Sequence, residues 1–80
     1  MGNMQEERER VGATLRTIRE LRGYKPDEFA STIGISRPYL ANIEAGRKPL
    51  TDVLLARAAK ALEVAQIAIR RPVEIDEVAS

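Results

Sequence analysis

Apolar residues recur along the chain at intervals of three and four, and no stretch alternates with period two over a useful length. The pattern therefore predicts helices. Gly and Pro cluster at Gly23 with Pro26, Gly34 with Pro38, Gly46 with Pro49, and at Pro72, and these points cut the chain into short segments. A first helix is expected over residues 5–22, with Val11, Leu15, Ile18 and Leu21 or Arg22 on its buried face. Gly23 is placed to end it in a left-handed conformation. A second helix is expected over 26–33. Pro26 fits the first helical position, Asp27 and Glu28 suit the positive end of the dipole, and Tyr24 and Phe29 can pack across the start as a hydrophobic staple. Lys25 is a poor N-cap. A third helix is expected over 37–45, capped by Ser36. Pro38 has no N–H, so the Ser36 oxygen should accept from the N–H of Tyr39. Ile35 and Leu40 form a second staple, and Gly46 ends the helix. The fourth runs from a Thr51 cap to Leu62, with Leu55, Ala58, Ala59 and Leu62 on one face. Nothing between Leu62 and Arg71 breaks a helix outright, so a break at Val64 and a continuous helix both fit. Pro72 ends whatever precedes it. Val73 and Ile75 alternate with Glu74 and Asp76, a pattern that fits a short strand, an extended arm or a disordered tail.

Eighty residues make one domain with a single modest core. The absence of Cys and His removes disulfides, thiolate or imidazole metal sites and nucleophile–histidine catalysis. The N-terminus lacks an apolar signal core, and Glu6 stands where a myristoylation motif needs Ser or Thr. The least polar stretch, residues 61–69, is interrupted by Glu63 and Gln66 and is too short to span a bilayer. A soluble, cytoplasmic protein without membrane contact, metal or cofactor is expected. Net charge is only +1, but its distribution is uneven. Residues 10–71 carry 12 Lys/Arg against 6 Asp/Glu, a net of +6, while the first nine residues carry −2 and residues 72–80 carry −3. A basic body of this kind suits a polyanionic partner.

The second and third helices are joined by Gly34-Ile35-Ser36, too short for side-by-side packing, and a steep helix-turn-helix crossing follows. Ala30 is small enough for the crossing, Gly34 is free to take positive φ, and Phe29, Ile33, Ile35, Leu40 and Ile43 supply apolar contacts beneath both helices.

The run from Phe29 through Gly34-Ile35-Ser36-Arg37 to Glu44-Ala45-Gly46 resembles the lambda-repressor-like, or Xre-type, helix-turn-helix family. Leu15 to Gly23 is similar to that family's first helix, and Thr51 through Leu55, Ala59 and Leu62 to Val64 to its fourth. The likeness covers residues 11–64. It implies an all-α fold of four to five helices, with residues 1–10 extending the first helix, 11–64 forming the DNA-binding domain, and 65–80 forming a short C-terminal helix and acidic tail. It also implies that the third helix enters the major groove of double-stranded DNA. Arg37 would then read guanine and Asn42 adenine, each through two hydrogen bonds, with Pro38, Tyr39 and Ala41 also at the bases. Tyr39 equally fits half-buried packing. Lys25, Ser36, Arg47 and Lys48 fall at phosphate-contacting positions. Arg19 and Glu44 match a structural salt bridge.

The sequence departs from the family pattern in three ways. Lys25 and Pro26 stand where Ser or Thr and then Gln are common, so the Gln that would brace the third helix is missing. Pro38 offers a base only apolar contact. Glu63 replaces a frequent Gly. The helix-turn-helix spacing with basic residues at the reading end, together with the resemblance, predicts a sequence-specific regulator, a repressor binding a palindromic operator as a homodimer. Ile67 and Ile69 fit either core caps or a dimer patch. The alternative is an antitoxin or partner-binding module whose residues 65–80 hold another protein. An enzyme is not expected, because the sequence offers no converging set of polar residues, and Glu44 has no second carboxylate at a useful spacing.

Overall fold

The computed structural model describes residues 4–70 and folds them into five helices: α1 (Met4–Leu21), α2 (Pro26–Ile33), α3 (Arg37–Glu44), α4 (Asp52–Leu62) and α5 (Gln66–Arg70). No strand occurs among the described residues. The acidic tail expected after Pro72 lies outside them.

In α1 the fully buried positions are Gly12, Leu15 and Arg19, flanked by the partly buried Val11 and Ile18. The expected placement of Leu21 or Arg22 on this face is corrected. Leu21 is 79% exposed. At 100° per residue it lies well round the helix from Leu15, and Arg22 falls beyond the last helical residue, where it too is exposed. The chain turns at Gly23 (φ 81°), where the N–H of Tyr24 donates to the Arg19 carbonyl at 3.1 Å.

Lys25 precedes α2 and offers no side-chain acceptor. The missing cap is partly offset from the other direction, since Glu28 Oε1 accepts from the Lys25 N–H at 3.2 Å. The Tyr24 and Phe29 rings meet edge to face with centroids 5.4 Å apart and clamp this start. At the other end Gly34 takes φ 82°, and Arg57 Nη1 donates to the Ile33 carbonyl at 3.2 Å, satisfying a helix-end acceptor from α4. Ser36 caps α3 as expected, with Oγ accepting from the Tyr39 N–H at 3.2 Å. Thr51 does the same for α4 through the Leu54 N–H at 3.3 Å.

The open question after Leu62 resolves as a break. Glu63 adopts a left-handed conformation (φ 60°, ψ 45°) and the Val64 N–H donates to the Ala59 carbonyl at 3.0 Å. A non-glycine residue therefore makes the turn that Gly makes elsewhere. α5 then folds back, buries Ile69 completely and leaves Ile67 58% exposed. Asp52 Oδ1 accepts from Arg70 Nη2 at 2.8 Å and ties the ends of α4 and α5 together.

The core joins Leu15 of α1, Phe29, Ala30 and Ile33 of α2, Leu40 and Ile43 of α3, Leu54, Leu55, Ala58, Ala59 and Leu62 of α4, and Ile69 of α5. α3 packs on α1 and α2, α2 also packs on α4, and α5 packs on α1 and α4. The approach of α1 to α3 depends on Gly12. A Cβ there would collide with the carbonyl oxygens of Ile43 and Glu44.

Candidate nucleic-acid interface

α3 has only eight residues, and two of them, Leu40 and Ile43, are buried. At 100° per residue those two define the inward direction. Arg37, Pro38 and Ala41 are exposed on the opposite arc, and Asn42 sits half-buried at its edge. Tyr39 falls on the other margin, half-buried and packed against the core. Four of the five expected base-reading residues thus share one outward arc, and Tyr39 stands beside it.

The ends of that arc are built by local hydrogen bonding. At the start, the Ser36 hydroxyl oxygen is occupied by its capping bond, which leaves the hydroxyl proton free to donate outward. At the finish, Gly46 (φ 84°) reverses the chain, and the N–H groups of Arg47 and Lys48 donate to the Asn42 carbonyl at 2.8 and 3.2 Å. This places two exposed cations directly after α3. Arg47 also reaches back, with Nε donating to Asn42 Oδ1 at 2.8 Å. That bond orients the amide, since its oxygen must face Arg47, and it leaves a second lone pair and both N–H donors unused. An adenine edge requires one acceptor and one donor, and the amide retains both. Lys25 is exposed just before α2.

Behind the arc lies the pair Arg19 and Glu44. Arg19 Nε donates to Glu44 Oε2 at 2.7 Å and Nη2 to Oε1 at 3.2 Å, while Nη1 donates to the Tyr24 carbonyl at 2.8 Å. Arg19 is only 4% exposed. One buried guanidinium thus joins α1, the turn before α2 and the end of α3.

Several contributors escape sequence reasoning. Gly12 gave no signal because its constraint comes from a helix thirty residues away. Arg57 carries no local signal in the sequence, yet its Nη1 donates to the Ile33 carbonyl at the end of α2. Asp27 read only as an acid at a helix start. In the fold its Oδ1 lies 3.3 Å from Arg37 Nη1, joining the first turns of the two helices. An acid and an arginine ten residues apart, across a helix-turn-helix corner, were the available clue. Among the described residues no cluster of Asp and Glu could hold a metal ion, and no helix is long and apolar enough to cross a membrane.

Two short helices meeting at a left-handed glycine, with the second helix presenting a polar arc flanked by cations, define the helix-turn-helix fold of DNA-binding transcription regulators. A family model described as a helix-turn-helix domain matches residues 10–71. The clp gene regulator ClgR from Corynebacterium glutamicum is 35% identical over 79% of this chain and 67% of its own, with a TM-score of 0.76. Two further structures share the fold at lower identity. The restriction-modification controller protein C.AhdI from Aeromonas hydrophila (23%, TM-score 0.76) is covered over 97% of its chain and 80% of this one. The hypothetical transcription factor NHTF from Neisseria (22%, TM-score 0.79) is covered over 92% of its chain and the whole of this one. None of the curated proteins compared with the chain matches it. The chain belongs to the lambda-repressor-like, Xre-type helix-turn-helix family.

Proposed function

We propose that this protein is a sequence-specific DNA-binding repressor that acts in the cytoplasm as a homodimer on a palindromic operator. The observation that carries the reading is the exposed arc of α3, where Arg37, Pro38, Ala41 and Asn42 stand together and cations follow at once. Arg37 pairs with guanine O6 and N7, and Asn42 with adenine N6 and N7. Pro38 and Ala41 give apolar contact and close approach. Tyr39 touches the sugar or a thymine methyl from its margin. Lys25, Ser36, Arg47 and Lys48 hold phosphates and fix the register of the helix in the groove.

One such arc reads few base pairs, so a second copy about one helical turn away, ~34 Å, is needed for useful affinity. The exposed Ile67 on α5 and Val53 on α4 are the apolar surface offered to that copy. The relatives support the role of regulator. ClgR is a clp gene regulator, and C.AhdI is a restriction-modification controller protein.

The test is selection of bound duplexes from a random pool, followed by titration of the winner against salt. An enriched inverted repeat with a steep negative salt slope supports the proposal. Salt-sensitive binding without enrichment leaves a nonspecific binder. No binding at all sinks the reading and favours a domain kept for protein contacts.

A further inference from the structure

Arg37 is the first residue of α3, and its charge opposes the dipole there. The positive end of a helix favours acids, yet the first turn of α3 contains none. Its side chain is 65% exposed. The carboxylate that faces it comes from another helix. Asp27, second residue of α2 and itself exposed, places Oδ1 3.3 Å from Arg37 Nη1. Exposed ion pairs add little to stability, so fold stability is a poor account of this one. What the pair supplies is direction. It restricts a long side chain with many rotamers at the base-reading end of α3. It also stands where a brace is otherwise missing, because Pro26 carries no polar side chain.

We infer that Asp27 is a positioning residue that holds Arg37 in the orientation that reads guanine, and so sets the base preference of α3. The inference rests on the DNA-reading role proposed above for Arg37. The guanidinium has five N–H donors in a fixed fork. Asp27 engages the Nη1 corner, and the Nε–Nη2 edge stays free for guanine O6 and N7. The carboxylate also acts against alternatives. If Arg37 swings to another base, Asp27 is left facing phosphates without a partner, and like charges repel. Asp27 therefore lowers affinity for DNA in general while raising the margin between guanine and the other bases.

The experiment uses the full chain with Asp27→Asn, Asp27→Glu, Arg37→Ala and the Asp27→Asn/Arg37→Ala double variant. Circular dichroism first checks that each is folded. Binding is then measured on the selected operator, on its variants at the Arg37-dependent base pair and on an unrelated duplex. For Asp27→Asn we expect tighter binding to the unrelated duplex and a guanine preference reduced roughly 5- to 10-fold, the lower end of what a good arginine–guanine pair supplies. Asp27→Glu should recover part of that preference. In the Arg37→Ala background, Asp27→Asn should change nonspecific binding alone. An equal gain on every duplex with guanine preference intact would overturn the inference and leave Asp27 as a general repulsive charge. Loss of base preference at no position in Arg37→Ala would overturn the reading of Arg37 itself, and this inference with it.

Discussion

Arg19 Nε and Nη2 donate to the two carboxylate oxygens of Glu44 at 2.7 and 3.2 Å, so a two-point ionic clamp joins α1 to the last residue of α3. The side chains are 5% and 10% exposed, so both charges are largely withdrawn from water. Removing one partner strands the other. Arg19→Ala and Glu44→Ala should each cost about 3–5 kcal/mol. Replacing both together, Arg19→Met with Glu44→Leu, should recover much of the loss. Urea midpoints at unchanged m-value read this directly. Equal losses in the single and double variants would show that packing matters here and charge does not.

Gly12 and Gly23 make a controlled comparison. Gly23 has positive φ but open space around it, so Gly23→Ala meets backbone strain alone, about 1–2 kcal/mol. Gly12 lies in ordinary helix, yet a Cβ there meets two backbone carbonyls of α3. Backbone cannot yield as a flexible side chain does. Gly12→Ala should therefore reach the upper end of over-packing, about 3 kcal/mol, despite the better helix propensity of Ala. Chemical denaturation of the two variants side by side gives the order, and the reverse order would mean that α1 slides on α3 without loss.

Glu63 is the one non-glycine residue with positive φ among those described. Glu63→Gly should relieve its left-handed strain and stabilise the domain by up to about 1 kcal/mol, since Gly loses more chain entropy on folding and gives some of the gain back. For a domain of this size that is a rise of roughly 4–8 °C in Tm. A fall in Tm would assign Glu63 a contact that outweighs the strain.

Arg37 and Lys48 should separate by the kind of loss they produce. Arg37→Ala should cost roughly 1–3 kcal/mol on the operator and relax preference at one base position. Lys48→Ala should weaken all duplexes alike and reduce the salt slope by about one. Parallel titrations on the operator and on an unrelated duplex at several salt concentrations distinguish the two. An exchange of these patterns would reverse the assigned roles.

The features legible in the sequence are those whose cause lies within a few residues. Ser36 and Thr51 announce their caps because the N–H they accept is three positions on. Gly34 announces the corner because few other residues take its φ, and Phe29, Ile33, Leu40 and Ile43 announce the core by their spacing. The features that stayed hidden depend on distant neighbours. Nothing local distinguishes Gly12 from a weak point in a helix, or Arg57 from any solvated cation. The break after Leu62 was undecided because its left-handed residue is Glu63, where a Gly would have marked it. Leu21 misled because it falls near the end of an apolar pattern, where one residue of drift carries a side chain round to solvent. In the candidate site, the composition of the arc was readable, but the couplings of Asp27 with Arg37 and of Asn42 with Arg47 were not. Each depends on which atoms a turn brings together.

α3 gives Leu40 and Ile43 to the interior and turns Arg37, Pro38 and Ala41 outward, where none of them belongs to the buried core. Substitutions on that outer arc are therefore nearly free of folding cost. If that arc reads DNA as proposed, duplicated copies of such a gene would diverge in target quickly, each keeping the same scaffold, and insulation between sister regulators would arise from a handful of codons. The same separation makes the domain a chassis for reprogramming, in which new recognition is screened on one short helix face while stability is engineered elsewhere, at Glu63 first.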